Sequence, residues 1–500
     1  MYLNIDAGTM NPIEHGEVFV THDGLETDQD LGHYERFLNE NLNRTNYMTN
    51  GQLYKLVLDK ERALEYDGKC VEPYHHIPPE IIKRWEEAGR VNKADVVIVE
   101  LGGTVGEYEG LLFFEAGRRI KLKHPDDIVF ILVGYLPAPP SIGELKSKPL
   151  QQAVTTLNSL GVQPDFIIAR AIKGIDAKRK QKISLVAGLP AENIISNPDL
   201  DTIYKVPLVL EEQNLSEMIA KKLKIKVQKK DLTDWKKMAL AANYFTNEVK
   251  IGMVGKYQKT GDYVLQDSYV CVVEALKHAA WKCGMGLKIF WIDSETLEDK
   301  KETEIKKVFK DIDGLIVPQG WGRRGTEGKI KAVEYARENK IPYLGLCFGM
   351  QMATIEFARH VLGMKNASSE EINPKTKYPV IHIMPNQKQY LAKKNYGGTI
   401  RLGAWPCKIK KGTKLWQMYK KNLIHERHRH RYEFNNIYKK KFEKAGFIIS
   451  GTSPDGKLVE AIELENHPFF VGTQFHPEYL SRPLFPHPIF LGFIKAVKEA

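Results

Sequence analysis

The chain has 500 residues, with 73 Lys+Arg against 62 Asp+Glu and a formal net charge of +11. At roughly 150 residues per domain it reads as two to four domains. A composition of 43% hydrophobic and 27% charged residues, with 20 Phe, 22 Tyr and 7 Trp, excludes a disordered chain. Five cysteines (Cys70, Cys271, Cys283, Cys347 and Cys407) with no CxxC spacing exclude a disulfide framework and fit a reducing cytoplasm.

No membrane partner is expected. The apolar run at 128–133 is far short of the ~18–20 residues that cross a bilayer, and residues 1–6 lack the basic and apolar stretches of a leader. Much of the positive charge sits in local runs at 221–230 and 439–441. No zinc finger, RNP-like aromatic motif or basic leucine repeat accompanies them. They read as solvated faces or a linker, and no nucleic-acid partner is expected.

In chain order, β-branched runs at 96–100, 128–133, 166–169 and 193–196 alternate with helical patterns at 79–88 and 150–160. Apolar strands alternating with helices predict an α/β fold with a parallel sheet covered on both faces. Ligands bind such sheets at the carboxyl ends of the strands, so the segments that follow each strand matter most. The pattern changes between 221 and 247, where a lysine run leads into a capped helix start at Asp231. This sets a first domain at 1–230, a linker at 231–247 and a second domain at 248–500. Fresh strands follow at 249–254, 314–318 and 341–346, then a β-rich tail and a final helix at 494–499.

The most informative segment is Gly345-Leu-Cys347-Phe-Gly349, between an apolar strand and a helical pattern. This is a nucleophile elbow with Cys in place of Ser, its glycines permitting the tight strand-to-helix turn. A helix N-terminus behind the sulfur stabilises a thiolate and aims backbone N–H groups at an oxyanion. Gly472-Thr-Gln-Phe-His476-Pro-Glu478 adds a His and a carboxylate two residues apart. Glu478 can orient the imidazole and His476 can accept the thiol proton. Val317-Pro-Gln-Gly320 is a turn after a strand, suited to a second oxyanion donor. The alternative reading of a lone cysteine is a buried structural one.

Residues 248–500 resemble class I glutamine amidotransferase domains. The resemblance implies glutamine hydrolysis through a Cys347 thioester, with His476 as base and then acid, Glu478 as its partner, and Gly320 and Phe348 forming the oxyanion hole. The family pattern usually reads Pro-Gly-Gly where this chain has Pro318-Gln319-Gly320. Arg427-His-Arg-His-Arg-Tyr-Glu433 alternates sides if it is a strand, which is poor metal-site geometry. It is similar to a segment of one branch, the CTP synthases. There the resemblance places the glutamine carboxylate on Arg431, its amino group on Glu371, and Gln351 in the same subsite.

Residues 1–220 agree with that branch. Asp30 lies in an acidic, glycine-punctuated stretch, and Glu100 ends a strand pattern before a glycine-rich loop carrying Glu107 and Glu109. Hard carboxylate oxygens suit Mg²⁺ carried by a triphosphate. Each of these carboxylates alone reads more readily as a solvated loop residue than as a ligand. Lys146 and Lys148 are two residues apart and suit a phosphate tail.

The resemblance to the CTP synthase amidoligase domain implies a two-stage reaction. ATP phosphorylates O4 of UTP, and ammonia from glutamine displaces that phosphate to give CTP. It further implies Asp30 and Glu100 on Mg²⁺, with Asp30 also at ATP. Lys146, Lys148, Gln151 and Lys182 would contact UTP or CTP, with Glu107 and Glu109 near the pyrimidine. GTP would act as allosteric activator and the assembly would be a homotetramer. The fold implied is a P-loop-like parallel-sheet amidoligase followed by a class I amidotransferase domain. Family members commonly carry Asp at Glu107 and Thr at Leu150, and residues 133–140 also differ.

Family members begin with a strand and a glycine-rich phosphate loop bearing a lysine. No GxxxxGK[ST] occurs in these 500 residues. These residues alone are therefore expected to hydrolyse glutamine but to make little CTP, since the loop cradles the transferring phosphoryl group. An N-terminally truncated form, or a degenerate paralogue keeping only glutaminase activity or a nucleotide-sensing or structural role, is the alternative expectation.

Overall fold

The structure, a computed structural model, describes residues 2–226, 230–241, 244–257, 259–260, 263–384, 387–393 and 397–499. Residues 227–229 of the lysine run and 242–243 of the expected linker lie outside them. The chain divides into two compact units. One comprises Met1–Ile5 and Met48–Leu240, and the other Asp6–Tyr47 and Ala241–Ala500.

In the first unit, strands Ile131–Leu136, Phe166–Ala171 and Ile194–Pro198 form a parallel sheet with Phe166–Ala171 in the middle. Parallel neighbours need crossovers, and helices Lys148–Ser159 and Ala177–Ala187 supply them. The second of these helices starts where the Asp176 side chain accepts the Arg179 N–H, and it ends on Gly188 at φ 63°. Leu132, Leu150, Val154, Ile167, Ile183 and Ile194 fill the space between helices and sheet. A separate cluster of Leu53, Val57, Ile77, Ile81 and Phe113 joins helices Asn50–Arg62, Pro73–Asn92 and Leu111–Lys123.

The expected strand at 96–100 does not form. Val96, Val97, Ile98 and Val99 are 42–87% exposed, and among the described residues no backbone pairs with them as a strand. A β-branched run is only half of a strand; the ladder of hydrogen bonds is the other half. The strand expected at 128–133 begins instead at Ile131. It is an edge, exposing Ile131, Val133 and Tyr135 while burying Leu132 and Leu136.

The second unit is built on a nine-stranded sheet. Phe470–Thr473, Tyr343–Leu346, Gly314–Val317, Glu248–Gly255 and Gly286–Asp293 are neighbours in that order and all parallel. Beyond Phe470–Thr473 the sheet continues antiparallel through Val459–Leu464, Phe447–Thr452, Arg401–Ile409 and Leu423–His430. Helices Thr326–Glu338 and Phe348–His360 lie in one core and Val270–Lys282 and Pro488–Glu499 in the other. The three short parallel strands at its centre are buried along their whole length, so their continuous apolar runs follow from having a core on each face.

Residues 6–47 pack within this unit. Their hairpin, Phe19–Val20 with Glu26–Thr27, and their helix Asp30–Leu38 are tied to the sheet by buried ion pairs. Glu35 accepts from Arg427 at 3.0 Å and from Arg482 at 2.7 Å, and Glu26 accepts from Arg429 at 2.8 Å. The alternation expected in the Arg-His repeat is present: Arg427 and Arg429 reach this segment, while His428 and His430 contact each other.

Candidate functional site

The site stands at the carboxyl ends of three adjacent parallel strands. Tyr343–Leu346 delivers Cys347, Gly314–Val317 delivers Pro318-Gln319-Gly320, and Phe470–Thr473 delivers the segment that reaches His476 and Glu478. The Cys347 N–H donates to the Thr473 carbonyl at 2.7 Å, which fixes the elbow to its neighbour. Helix Phe348–His360 starts immediately after it.

The turn is made differently from what the glycine spacing suggests. Cys347 itself holds a positive φ, 50° with ψ −97°, a strained geometry of the kind kept at reacting centres. Gly349 instead permits close approach: a Cβ there would lie 1.9 Å from the Val317 carbonyl oxygen. A Cβ on Gly345 would meet the Tyr343 hydroxyl at 2.7 Å and the Gly349 backbone at 2.8 Å. Gly349→Ala should therefore destabilise the fold by about 3 kcal/mol or more, measurable as a lowered Tm, because backbone and not a flexible side chain must move.

His476 and Glu478 are both buried, with Nδ1 and Oε1 2.7 Å apart. Burial alone would lower the imidazole pKa, but the Glu478 carboxylate and the Cys347 sulfur outweigh it and raise it to about 10. The ring therefore holds a proton at neutral pH. Tyr479 lies parallel to it, centroids 5.0 Å apart and planes 9° apart. Because the folded value is above the ordinary 6.5, the pair's stabilisation is fully present below pH 6.5 and is lost as pH rises through about 10. A Tm profile from pH 6.5 to 10 should fall, and Glu478→Gln should flatten that fall.

The Cys347 Sγ lies 3.5 Å from Gln474 Nε2 and 3.8 Å from the Arg429 carbonyl. Gln351 donates from Nε2 to the Tyr432 carbonyl at 3.0 Å. Glu371 accepts the Gly322 N–H at 2.6 Å, and burial raises its carboxyl above the usual range. Arg431 donates to Gln387 Oε1 at 2.7 Å and Thr399 Oγ1 at 3.0 Å.

Two buried lysines were not singled out from the sequence. Lys329 Nζ donates to the Pro318 carbonyl at 2.8 Å, and Lys256 Nζ donates to the carbonyls of Trp321, Gly322 and Arg324. Both face the Phe348 ring, at 5.5 and 4.8 Å. Burial lowers both amines, Lys256 to about 8. They tie the turn carrying Gly320 to the residue whose backbone N–H opens the helix. The one sequence signal was a lysine directly after the strand Glu248–Gly255, at a carboxyl end.

In the first unit, Lys146, Lys148 and Lys182 line one open cleft of about 310 Å³ with Lys178, Arg179 and Glu144. Among the described residues Glu144 is the only carboxylate lining it, and it pairs with Lys146 at 2.8 Å and Arg179 at 2.9 Å. Gln151 donates to Ser147 Oγ at 3.0 Å on the same helix and does not line the cleft. Glu107 and Glu109 are exposed around the short turn Tyr108–Gly110, also outside it. Glu100 is exposed in this unit, and Asp30 begins the helix Asp30–Leu38 of the other.

Comparison with known proteins matches this arrangement at full length. The pattern described as CTP synthase N-terminus matches residues 1–225, and that of class-I glutamine amidotransferase matches residues 264–496. The CTP synthase of Halalkalibacterium halodurans is 48% identical over 496 residues, 99% of this chain and 91% of the relative. That of Bacillus subtilis is 46% identical over 500 residues, all of this chain and 91% of the relative. Among solved structures, the glutaminase domain of Trypanosoma brucei CTPS with bound acivicin is 37% identical, with a TM-score of 0.47 over 50% of this chain and 94% of that one. With nearly half of all positions shared along its whole length, the chain belongs to the CTP synthase family.

Proposed function

We propose that the protein makes CTP from UTP and ATP with ammonia that its second unit releases from glutamine. The observation that carries the glutaminase half is the placing of Cys347, the Gly320 turn and the His476–Glu478 pair at neighbouring strand ends. The Cys347 thiolate attacks the carboxamide carbon of glutamine, forming a C–S bond. The oxyanion that develops is met by the N–H groups of Gly320 and Phe348. His476 gives its proton to the departing nitrogen, which leaves as ammonia when the C–N bond breaks. It then takes a proton from the water that cleaves the thioester, releasing glutamate and restoring Cys347. Arg431 pairs with the substrate carboxylate, Glu371 with its ammonium, and Gln351 lines the subsite.

In the first unit, Lys146, Lys148 and Lys182 bind the triphosphate of UTP or CTP, supported by the excess of positive charge lining their cleft. Gln151, Glu107 and Glu109 complete the pyrimidine nucleotide site. Asp30 and Glu100 are carboxylates of the hard-oxygen kind that Mg²⁺ takes, and Asp30 also serves ATP. Mg²⁺, when bound, offsets charge on the transferring phosphoryl group. GTP as activator, a homotetrameric assembly and a cytoplasmic location complete the proposal; five free cysteines support the last. Among the described residues no helix is long and apolar enough to cross a membrane.

The test follows the nitrogen. With UTP, ATP, Mg²⁺ and glutamine labelled at the amide, the label should appear in the exocyclic nitrogen of CTP. Label released as free ammonia with none in CTP would restrict the function to glutamine hydrolysis.

A further inference from the structure

A backbone oxyanion donor is worth only as much as its placing, and the turn bearing Gly320 is anchored on nearly every residue. Pro318 is held by Lys329, Trp321 donates to the Tyr257 hydroxyl at 3.0 Å, and Gly322 donates to Glu371. Gly320 has no side chain to anchor; a Cβ there would lie 2.9 Å from Lys256 Cε. The remaining anchor is Gln319, and it points to Glu17. Gln319 Nε2 donates to Glu17 Oε1 at 2.5 Å, while Glu17 Oε2 accepts the Cys271 N–H at 2.6 Å. The Glu17 N–H in turn donates to the Asp267 carbonyl at 2.9 Å. Gln319 Oε1 is buried with no hydrogen-bond partner among the described residues, so the Nε2 contact with Glu17 is what orients the amide.

The next residue reaches the other side of the site. The Val18 carbonyl accepts the Tyr479 hydroxyl at 3.0 Å, and Tyr479 is the ring stacked on His476. Two consecutive residues of the 6–47 segment thus touch the supports of both the oxyanion turn and the general base. Glu17 is a costly group for mere packing. Burial, with the Glu478 charge next in weight, raises its carboxyl to about 7, and a buried carboxylate is retained against its own desolvation.

We propose that Glu17 and Gln319 are a positioning pair for glutamine hydrolysis, with Glu17 holding the Gln319 amide and thereby the Gly320 N–H toward the oxygen of the carbonyl that Cys347 attacks. This rests on the reading of Cys347 as the nucleophile. It also gives a role to the one residue of the turn that departs from the Pro-Gly-Gly pattern.

The experiment is a charge swap, read by kcat and KM for ammonia release from glutamine in the full chain, with Cys347→Ala as the blank. Gln319→Glu sets two carboxylates against each other and Glu17→Leu removes the acceptor. Each should lower kcat about 30-fold with KM within about twofold, because the lost contact matters mainly when the oxyanion forms. The double variant Glu17→Gln with Gln319→Glu rebuilds the amide–carboxylate bond in reverse and should return kcat to within about threefold of the parent. A general packing role would not be rescued by exchanging the two groups. A Gln319→Glu protein with parental kcat, or a double variant no faster than Gln319→Glu, overturns the proposal. A parent chain that releases no ammonia, or a Cys347→Ala chain that still does, overturns instead the reading beneath it.

Discussion

Cys347→Ala should abolish ammonia release from glutamine, a loss of about 10⁴-fold or more, since no other group can form the thioester. The fold should survive. Cys347 is buried, 5% exposed, and alanine fits the same space with one atom fewer. Cys347→Gly should go further, losing the same activity while relieving about 1 kcal/mol of backbone strain at φ 50°. A variant that melts higher and hydrolyses nothing would show that the strain is held for the reaction. Ammonia supplied from solution bypasses Cys347, so any ammonia-dependent synthesis should persist in both variants. Glutamine hydrolysis surviving in Cys347→Ala would contradict the account.

Neutralising the cleft should separate the two halves of the protein. Lys148→Ala with Lys182→Ala should weaken CTP binding by about 100-fold or more, two charge-assisted phosphate contacts being lost together. Of the three cations that remain in the cleft, Lys146 and Arg179 already pair with Glu144. The residual affinity should depend less steeply on salt than the parent's, because fewer charges face the phosphates. Basal glutamine hydrolysis, carried by the other unit, should be unchanged. Calorimetric titration of CTP at two salt concentrations measures both effects; undiminished affinity would remove these lysines from the nucleotide site.

Much of the glutaminase site was legible in the sequence because its signals are local. Gly345 to Gly349 and His476 to Glu478 each sit within a few residues at a strand end, where backbone geometry decides what faces what. What the glycines do was not legible: spacing suggested only that they permit the tight turn, whereas Gly349 is needed for the approach of Val317, thirty-two positions away in the chain. Lys256, Lys329 and Glu17 were missed for the same reason. Each is an ordinary charged residue until folding buries it against carbonyls or an amide from distant segments. The run at 96–100 fails in the opposite direction. Its β-branched residues satisfy every local rule for a strand, yet pairing is a property of neighbours, and none of the described residues pairs with it.

The account turns on a covalent bond between Cys347 and the acyl group of glutamine. Protein mixed with glutamine, quenched in acid within one turnover and digested, should yield the peptide carrying Cys347 with a γ-glutamyl adduct. Glu478→Gln, which leaves His476 poorly held, should change how much accumulates. An adduct on Cys347 is the predicted result. Ammonia release with no adduct on that peptide, or with one on another cysteine, would contradict it.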